Sequence, residues 1–187
     1  MIENRFRLAV LLLSASVLLA SCSCERATQL KVEPGPLFLL NGSGRLATFT
    51  VYGPRPGHKI ATPYDTDSIL WQIKAPEGYF TGKHVEGLRV KYGEIPINYV
   101  QAAPYASKAA PQLVQGNLYF VLAETTDAAV KSTMFYVGKD RPIEVDVPDL
   151  CIDQIGGHVS RLKCGTTEPY QEPADIDNFV RMHQVVQ

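Results

Sequence analysis

The sequence has no surplus of charge of either sign. It carries 18 lysine and arginine residues against 19 aspartate and glutamate residues, which gives a net charge of −1. A basic surplus is the usual electrostatic footprint of a nucleic-acid-binding protein, and it is missing here. We therefore expect no nucleic-acid partner.

Recognisable catalytic and metal-binding motifs are missing as well. The four histidines are scattered, and none lies at zinc-ligand spacing from another: His58, His84, His158 and His183. No Gly-x-Ser-x-Gly elbow, P-loop or dinucleotide-binding fingerprint occurs. The sequence therefore predicts a protein that is not an enzyme and has no metal and no cofactor. We expect the loop histidines, His58 and His84, to be solvated.

An apolar run near the start of the chain is too short to cross a membrane. It covers residues 8–19 and follows Arg5 and Arg7. A dozen residues fall short of the roughly 20 that a spanning helix needs. The run ends in Leu19-Ala20-Ser21-Cys22, where small residues precede a cysteine. A basic start, a short apolar core and small residues together predict a secretory signal peptide.

These four residues resemble the lipobox of bacterial lipoproteins. The resemblance implies that residues 1–21 are removed and that Cys22 is acylated, which joins the protein to membrane lipid. Ser23 follows the cysteine, where aspartate would favour the inner membrane. In a Gram-negative host we therefore expect an outer-membrane lipoprotein that faces the periplasm. The alternative is an ordinary signal peptide with a chance cysteine.

The remaining cysteines fit an oxidising compartment. We predict a disulfide between Cys151 and Cys164, and the alternative is two buried thiols. Cys24 is left over beside the anchor, either free or paired between chains. Residues 22–28 are predicted to be a lipidated tether.

Short alternating segments separated by glycine and proline predict an all-β domain over residues 29–147. Ile69, Trp71 and Ile73 alternate with polar or outward-facing neighbours, and residues 118–122 form a compact apolar run. Seven or eight such strands predict an antiparallel β-sandwich.

Three motifs in this region resemble a fibronectin type III module, which has an immunoglobulin-like fold. Residues 68–71 resemble its tryptophan-bearing second strand, and residues 88–93 resemble its third. Leu113, Gly116 and Tyr119 have the Leu-x-x-Gly-x-x-Tyr spacing that precedes its sixth strand. In that fold the tyrosine hydroxyl bonds to backbone upstream.

Residues 148–187 are predicted to form a disulfide hairpin and a tail. A two-residue turn at 156–157 would set Cys151 opposite Leu162, whereas a four-residue loop would set it opposite Cys164. The disulfide therefore predicts the longer loop. Farther on, residues 176–183 carry apolar side chains at helical spacing, and Asp175 could cap that short helix. We expect its apolar face to pack on the domain.

Aromatic residues in predicted loops are the candidate binding residues: Tyr64, Tyr79 and Tyr105. The first hypothesis is a non-catalytic, membrane-anchored lipoprotein whose sandwich binds an envelope protein or helps an envelope assembly. The alternative is a glycan- or peptidoglycan-binding module, in which these rings stack on sugars. A hydrolase is the third, and it would require an acid pair that only the fold could assemble.

Overall fold

The chain folds mainly into antiparallel β-strands, as predicted. The computed structural model describes residues 28–77, 81–105, 108–126, 128–147, 150–155 and 158–185. Within these ranges it contains eleven strands: β1 (Gln29–Glu33), β2 (Leu37–Asn41), β3 (Arg45–Tyr52), β4 (Ile69–Lys74), β5 (Leu88–Lys91), β6 (Val100–Ala103), β7 (Leu118–Thr126), β8 (Lys131–Val137), β9 (Pro142–Val145), β10 (Leu150–Ile155) and β11 (His158–Lys163). One α-helix, α1 (Ile176–His183), and a 3-10 turn at Thr66–Ser68 complete these elements.

The strands form two sheets and a separate hairpin. The smaller sheet has the order β1-β2-β5, and the larger one has the order β6-β4-β3-β7-β8-β9. All strand pairs in both sheets are antiparallel. Strands β10 and β11 pair only with each other.

The two sheets pack against each other through one apolar core, as in a β-sandwich. Alternate residues of several strands point into this core, among them Phe38 and Leu40 from β2 and Trp71 and Ile73 from β4. The ring of Phe38 lies 5.1 Å from that of Phe49, so aromatic contacts join the two sheets. The predicted alternation around Trp71 is therefore confirmed, and Trp71 is fully buried.

The larger sheet is covered on both faces. Strand β7 has six consecutive buried residues, residues 118–123. Tyr119 and Val121 face the smaller sheet, whereas Phe120 and Leu122 face a second apolar cluster on the outer side. That cluster includes Val180 of α1 and Ile60 of the β3–β4 connection. The compact apolar run in the sequence reflects this two-sided burial.

The strand positions taken from the fibronectin resemblance are wrong. Trp71 lies on the fourth strand and residues 88–91 form the fifth, rather than the second and third. Three strands precede Trp71, and one of them, β2, was not predicted. Its Leu-Phe-Leu-Leu run shows no alternation of polarity, although only Phe38 and Leu40 are fully buried.

The predicted disulfide is present, but the predicted four-residue loop is wrong. Ile155 pairs with His158, so two residues separate the strands and Cys151 lies opposite Leu162. Cys164 follows the end of β11, where the chain enters a turn containing Gly165 at φ +76°. This turn brings the Cα atoms of Cys151 and Cys164 to 4.9 Å without the register that we expected.

Helix α1 forms where the apolar spacing predicted it. The Asp175 side chain accepts a hydrogen bond from the Asn178 N–H at 3.0 Å and caps the helix. Val180 is buried against the larger sheet, and the Tyr136 hydroxyl donates to Asp177. At eight residues, α1 is too short to cross a membrane, and none of the described helices is long and apolar enough to do so.

Candidate functional site

The sandwich has two ends with different connections. Strand β1 begins beside Thr28, whose hydroxyl donates to the Ser43 carbonyl at 3.3 Å. We call this the Thr28 end. Strand β3 runs away from it to Tyr52, which pairs with Ile69 and Phe120. We call the end defined by these three residues the far end.

Two of the three predicted binding tyrosines lie at the far end. Tyr64 lies in the β3–β4 connection, and Tyr105 follows the end of β6, whose Ala103 pairs with Gln72. Tyr105 is 83% exposed and Tyr64 is 41% exposed. Tyr79, the third candidate, lies outside the described residues, as do Cys22 and Cys24.

An apolar cleft of about 420 Å³ opens at the far end between the two sheets. The connection from β6 to β7 supplies half of its wall, and the rest comes from the ends of β2, β5, β8 and β9. The lining residues that define this far-end cleft are Pro36, Tyr92, Ala110, Pro111, Leu113, Val137 and Pro142, with Gly93, Ala109 and Gln112. Charged side chains are missing from this lining, so the cleft suits an apolar surface rather than a charged ligand.

Tyr92 fixes the inner wall of the far-end cleft. Its ring lies 5.5 Å from that of Trp71, edge to face, and its hydroxyl donates to the Pro111 carbonyl at 2.8 Å. Burial raises the pKa of Tyr92, so the hydroxyl stays protonated and keeps donating. The wall is therefore anchored both to the core and to the β6–β7 connection.

Three further side-chain contacts hold the β6–β7 connection in place. The Gln101 amide donates to the carbonyls of Pro104 and Lys108, at 2.8 and 2.7 Å. The Tyr119 hydroxyl accepts from the Val114 N–H at 2.7 Å. The Ala103–Pro104 peptide bond is cis. The cleft is thus preformed, and Val114, 56% exposed, lies beside it.

A second cleft lies on the outer face of the larger sheet, next to Tyr64. It has a volume of about 520 Å³, and its lining mixes apolar side chains with Ser132, Thr133 and Asp146. The Tyr64 ring packs at 5.6 Å from the Phe120 ring. Tyr64 has φ +62° after Pro63, a position where turns favour glycine. The chain therefore places an aromatic residue at a position whose backbone conformation favours glycine.

Asp65 holds the loop that presents Tyr64. Its carboxylate accepts from Arg55 at 2.6 Å, from the Ser68 hydroxyl at 2.6 Å and from the Asp67 N–H at 3.2 Å. The hydrogen bond from Arg55 is the main cause that lowers the pKa of Asp65. This buried carboxylate accepts its hydrogen bonds from residues of the same loop, so its role is to position Tyr64.

A polar cluster joins the C-terminal hairpin to the β3–β4 connection. Arg161 donates to Glu172 at 2.5 Å and to the Ile60 carbonyl at 3.0 Å. Glu172 also accepts from the Lys59 N–H at 2.8 Å. Burial opposes its ionisation, but the hydrogen bonds from Lys59 and Arg161 lower its pKa overall.

His58 was expected to be solvated, and this expectation is only half right. Its ring is 45% exposed, yet Nδ1 lies 2.9 Å from Arg161 and 3.2 Å from Glu172. Both neighbours are already paired with each other, and they hold the hairpin in place. We interpret the cluster as a structural contact that holds the C-terminal hairpin against the β3–β4 connection.

Metal chemistry finds no support in the described part of the chain, where no group of three or more His, Cys, Asp or Glu side chains could hold an ion. The sequence named Tyr64 and Tyr105 as candidate binding residues, and their binding role stays a prediction, but it did not indicate the far-end cleft. The prolines at 36, 111 and 142 were the available signal, but nothing in their spacing shows that they meet.

Comparisons with known proteins do not assign the chain to a family. No known family model matches it, and no significant match exists among the curated proteins or the solved structures compared with it. A function for this protein therefore depends on the geometry of its own residues.

Proposed function

We propose that this protein is a non-catalytic, membrane-anchored lipoprotein whose β-sandwich binds a partner protein at its far end. The observation that carries the proposal is the preformed apolar cleft there, with Val114 exposed next to its lining residue Leu113 and Tyr105 exposed in the same β6–β7 connection. A well-packed apolar centre with exposed aromatic and aliphatic residues is typical of the central part of a protein-binding surface. The partner that fits is an envelope protein that offers an apolar segment.

The order of the strands supports an immunoglobulin-like sandwich. In that fold strands A, B and E face strands C, F and G. Here β1, β2 and β5 face β3, β7 and β8, with β6 and β9 counted as additions at the two edges of the larger sheet. The fourth strand departs from the pattern because β4 pairs with β3. Tyr119, near the start of β7, matches the corner tyrosine of strand F, as in fibronectin type III modules.

The anchor sets the place of action. Acylated Cys22 would hold the Thr28 end near the outer membrane, in a Gram-negative host, and direct the far end into the periplasm. Eight residues of β3 at about 3.3 Å each place the far-end cleft roughly 26 Å beyond the Thr28 end. This distance keeps the cleft clear of the lipid headgroups.

Site-specific photocrosslinking in intact cells tests the partner site. A photoreactive amino acid would replace Tyr105 or Val114 in the full chain, with Met182 as the matched control, because all three side chains are exposed. We expect one discrete adduct from positions 105 and 114 and none from 182. Equal adducts at all three positions, or none, would refute binding at the far end.

The anchor has its own test, which is independent of the partner. Cys22→Ser removes the acylated thiol, and we expect the variant to leave the membrane fraction for the soluble fraction. A Cys24→Ser variant serves as the control and should stay with the membrane. Retention of the Cys22→Ser protein in the membrane would contradict the lipoprotein assignment.

A glycan- or peptidoglycan-binding module is the second candidate, and Tyr64 favours it. Its ring stands at the wall of the outer cleft, beside the hydroxyls of Ser132 and Thr133. The face of an aromatic ring attracts the C–H face of a sugar. Pull-down on purified cell wall, repeated with Tyr64→Ala and Tyr105→Ala, tests this role. Loss of retention in Tyr64→Ala alone would support it, and no retention of the wild type would exclude it.

A further inference from the structure

The Thr28 end exposes a large aliphatic side chain at each of two loop tips. Ile97 is 77% exposed and Val130 is 55% exposed. Single exposed aliphatic residues are common on protein surfaces and require no explanation by themselves. These two are distinguished by their position, because both lie at the end of the sandwich where β1 begins.

Hydrogen bonds place the Ile97 tip at this end. The Tyr99 N–H donates to the Pro96 carbonyl at 3.0 Å and closes a turn with Ile97 at its tip. The Tyr99 hydroxyl then donates to the Leu46 carbonyl at 2.7 Å and accepts from the Lys83 N–H at 3.0 Å. Leu46 is the second residue of β3, which begins at the Thr28 end.

Val130 belongs to the β7–β8 connection, which lies against the same end. A Cβ placed on Gly44 would be 3.0 Å from the Cβ of Ala128. Gly44 follows Ser43, whose carbonyl accepts from Thr28. The Thr125 hydroxyl donates to the Ala128 carbonyl at 3.1 Å and fixes this connection. The connection that carries Val130 is therefore held against the β2–β3 turn, to which Thr28 also bonds.

The length of the tether sets how far this end can be from the membrane. Five residues lie between Cys22 and Thr28, and even a fully extended chain spans only roughly 20 Å from one to the other. An acyl anchor at Cys22 therefore keeps both loop tips within reach of the headgroup region. At such short range a weak apolar contact is strengthened by its high effective concentration.

We propose that the Thr28 end docks on the bilayer surface, with Ile97 and Val130 inserted into its interface. This inference rests on the lipid anchor of the proposed function. The occupant is a phospholipid surface rather than a protein, because the tether ties this end to lipid. Docking of both tips would hold the sandwich upright and keep the far-end cleft directed away from the membrane.

Fluorescence quenching in vesicles tests this orientation. The acylated protein would be reconstituted into phosphatidylethanolamine–phosphatidylglycerol vesicles whose acyl chains carry bromine, a short-range quencher of tryptophan. Three variants place a tryptophan at a chosen position: Ile97→Trp, Val130→Trp and, as the matched far-end control, Tyr105→Trp. Trp71 is fully buried in every variant and supplies a constant background.

We expect at least twofold stronger quenching at positions 97 and 130 than at 105. Equal quenching at all three positions, or stronger quenching at 105, overturns the inference while the anchor stands. Flotation of the vesicles measures the anchor separately. If the protein does not float with them, the lipid anchor itself is refuted and the docking fails with it.

Charged residues introduced at the two apolar positions give a second readout. The double variant Ile97→Glu and Val130→Glu places carboxylates that the anionic phosphatidylglycerol surface repels, and it keeps the acylated Cys22, so we expect it to float with the vesicles. Placed in the Tyr105→Trp background, it should raise quenching at position 105, because the sandwich is no longer held upright. Unchanged quenching at 105 would show that the two tips do not set the orientation.

Discussion

The hydroxyl of Tyr119 accepts a hydrogen bond from the Val114 N–H at 2.7 Å. The same hydroxyl lies 3.3 Å from the Val114 carbonyl, to which it donates. One side chain on β7 thus satisfies both backbone groups of a residue in the irregular connection that precedes it. Since that connection lines the far-end cleft, the bond links the buried core to the proposed binding surface.

Tyr119→Phe removes this link without changing the core. The Val114 N–H loses its partner, and we expect a loss of about 1–2 kcal/mol in the free energy of unfolding. Urea unfolding measures it. Tyr105→Phe is the control, because that ring is exposed, and it should change stability by less than about 0.5 kcal/mol. Equal stability of both variants would show that the corner bond contributes nothing.

The C-terminal disulfide stabilises the hairpin by closing a short loop. Cys151 and Cys164 are 13 residues apart, and a loop of this size contributes roughly 3 kcal/mol in the chain-entropy model. We expect the double variant Cys151→Ser, Cys164→Ser to lose about that much, measured by urea unfolding under oxidising conditions. A reductant should destabilise the wild type to the same level and leave the double variant unchanged.

Asp65 makes the stability of the protein depend on pH in the acid range. Arg55 lowers the pKa of Asp65 in the folded state, so the unfolded chain binds the proton more readily. The stabilisation is complete above the unfolded pKa of about 3.9 and is lost as pH falls through the lower folded value. Unfolding free energies between neutral and acid pH should show this fall.

The variant Asp65→Asn assigns that fall to one carboxyl group. It should lower the free energy of unfolding by about 1–2 kcal/mol at neutral pH, because Arg55 then donates to a neutral amide instead of a carboxylate. Its stability should then fall less steeply in acid than that of the wild type. An unchanged slope in Asp65→Asn would assign the acid sensitivity to other carboxylates.

The Arg161–Glu172 pair should decide whether the C-terminal hairpin stays docked. Glu172→Gln leaves Arg161 without its charged partner, and we expect faster amide exchange at Ile60 and Leu162. Hydrogen exchange read by NMR measures this local loosening. Glu94→Gln breaks the exposed pair with Lys91 and serves as the control, with no expected effect on those amides.

Helix α1 should contribute to the stability of the protein through its buried face only. Val180 is buried and Met182 is exposed, although both lie in the same helix. We expect Val180→Ala to cost about 1–2 kcal/mol and Met182→Ala to cost less than about 0.5 kcal/mol, both measured by urea unfolding. Similar costs for the two variants would mean that the helix is not docked through Val180.

The sequence predicted the elements that local chemistry controls. The alternation around Trp71 identified a half-buried strand, and Asp175 marked the start of a helix whose apolar spacing was correct. The resemblance to fibronectin type III modules implied the bond between the Tyr119 hydroxyl and upstream backbone, and this bond joins residues only five positions apart. In each case the deciding contacts lie within a few residues of each other.

Patterns of polarity failed where both sides of a segment are apolar. The Leu-Phe-Leu-Leu run of β2 was not recognised as a strand, because its outward side chains are leucines rather than polar residues. The register of the β10–β11 hairpin was wrong for another reason. A turn after β11 brought Cys164 to Cys151, and no pairing rule for straight strands includes such a turn.

The sequence by itself determined the all-β character, the disulfide partners and the candidate anchor, because each depends on residue type and near spacing. Only the tertiary structure decided which loops share an end of the sandwich. Tyr64 and Tyr105 are 41 positions apart, yet antiparallel strands return both to the far end. The same antiparallel strands place Ile97 and Val130 at the Thr28 end. Strand order, which depends on contacts between distant residues, placed the candidate surfaces at opposite ends.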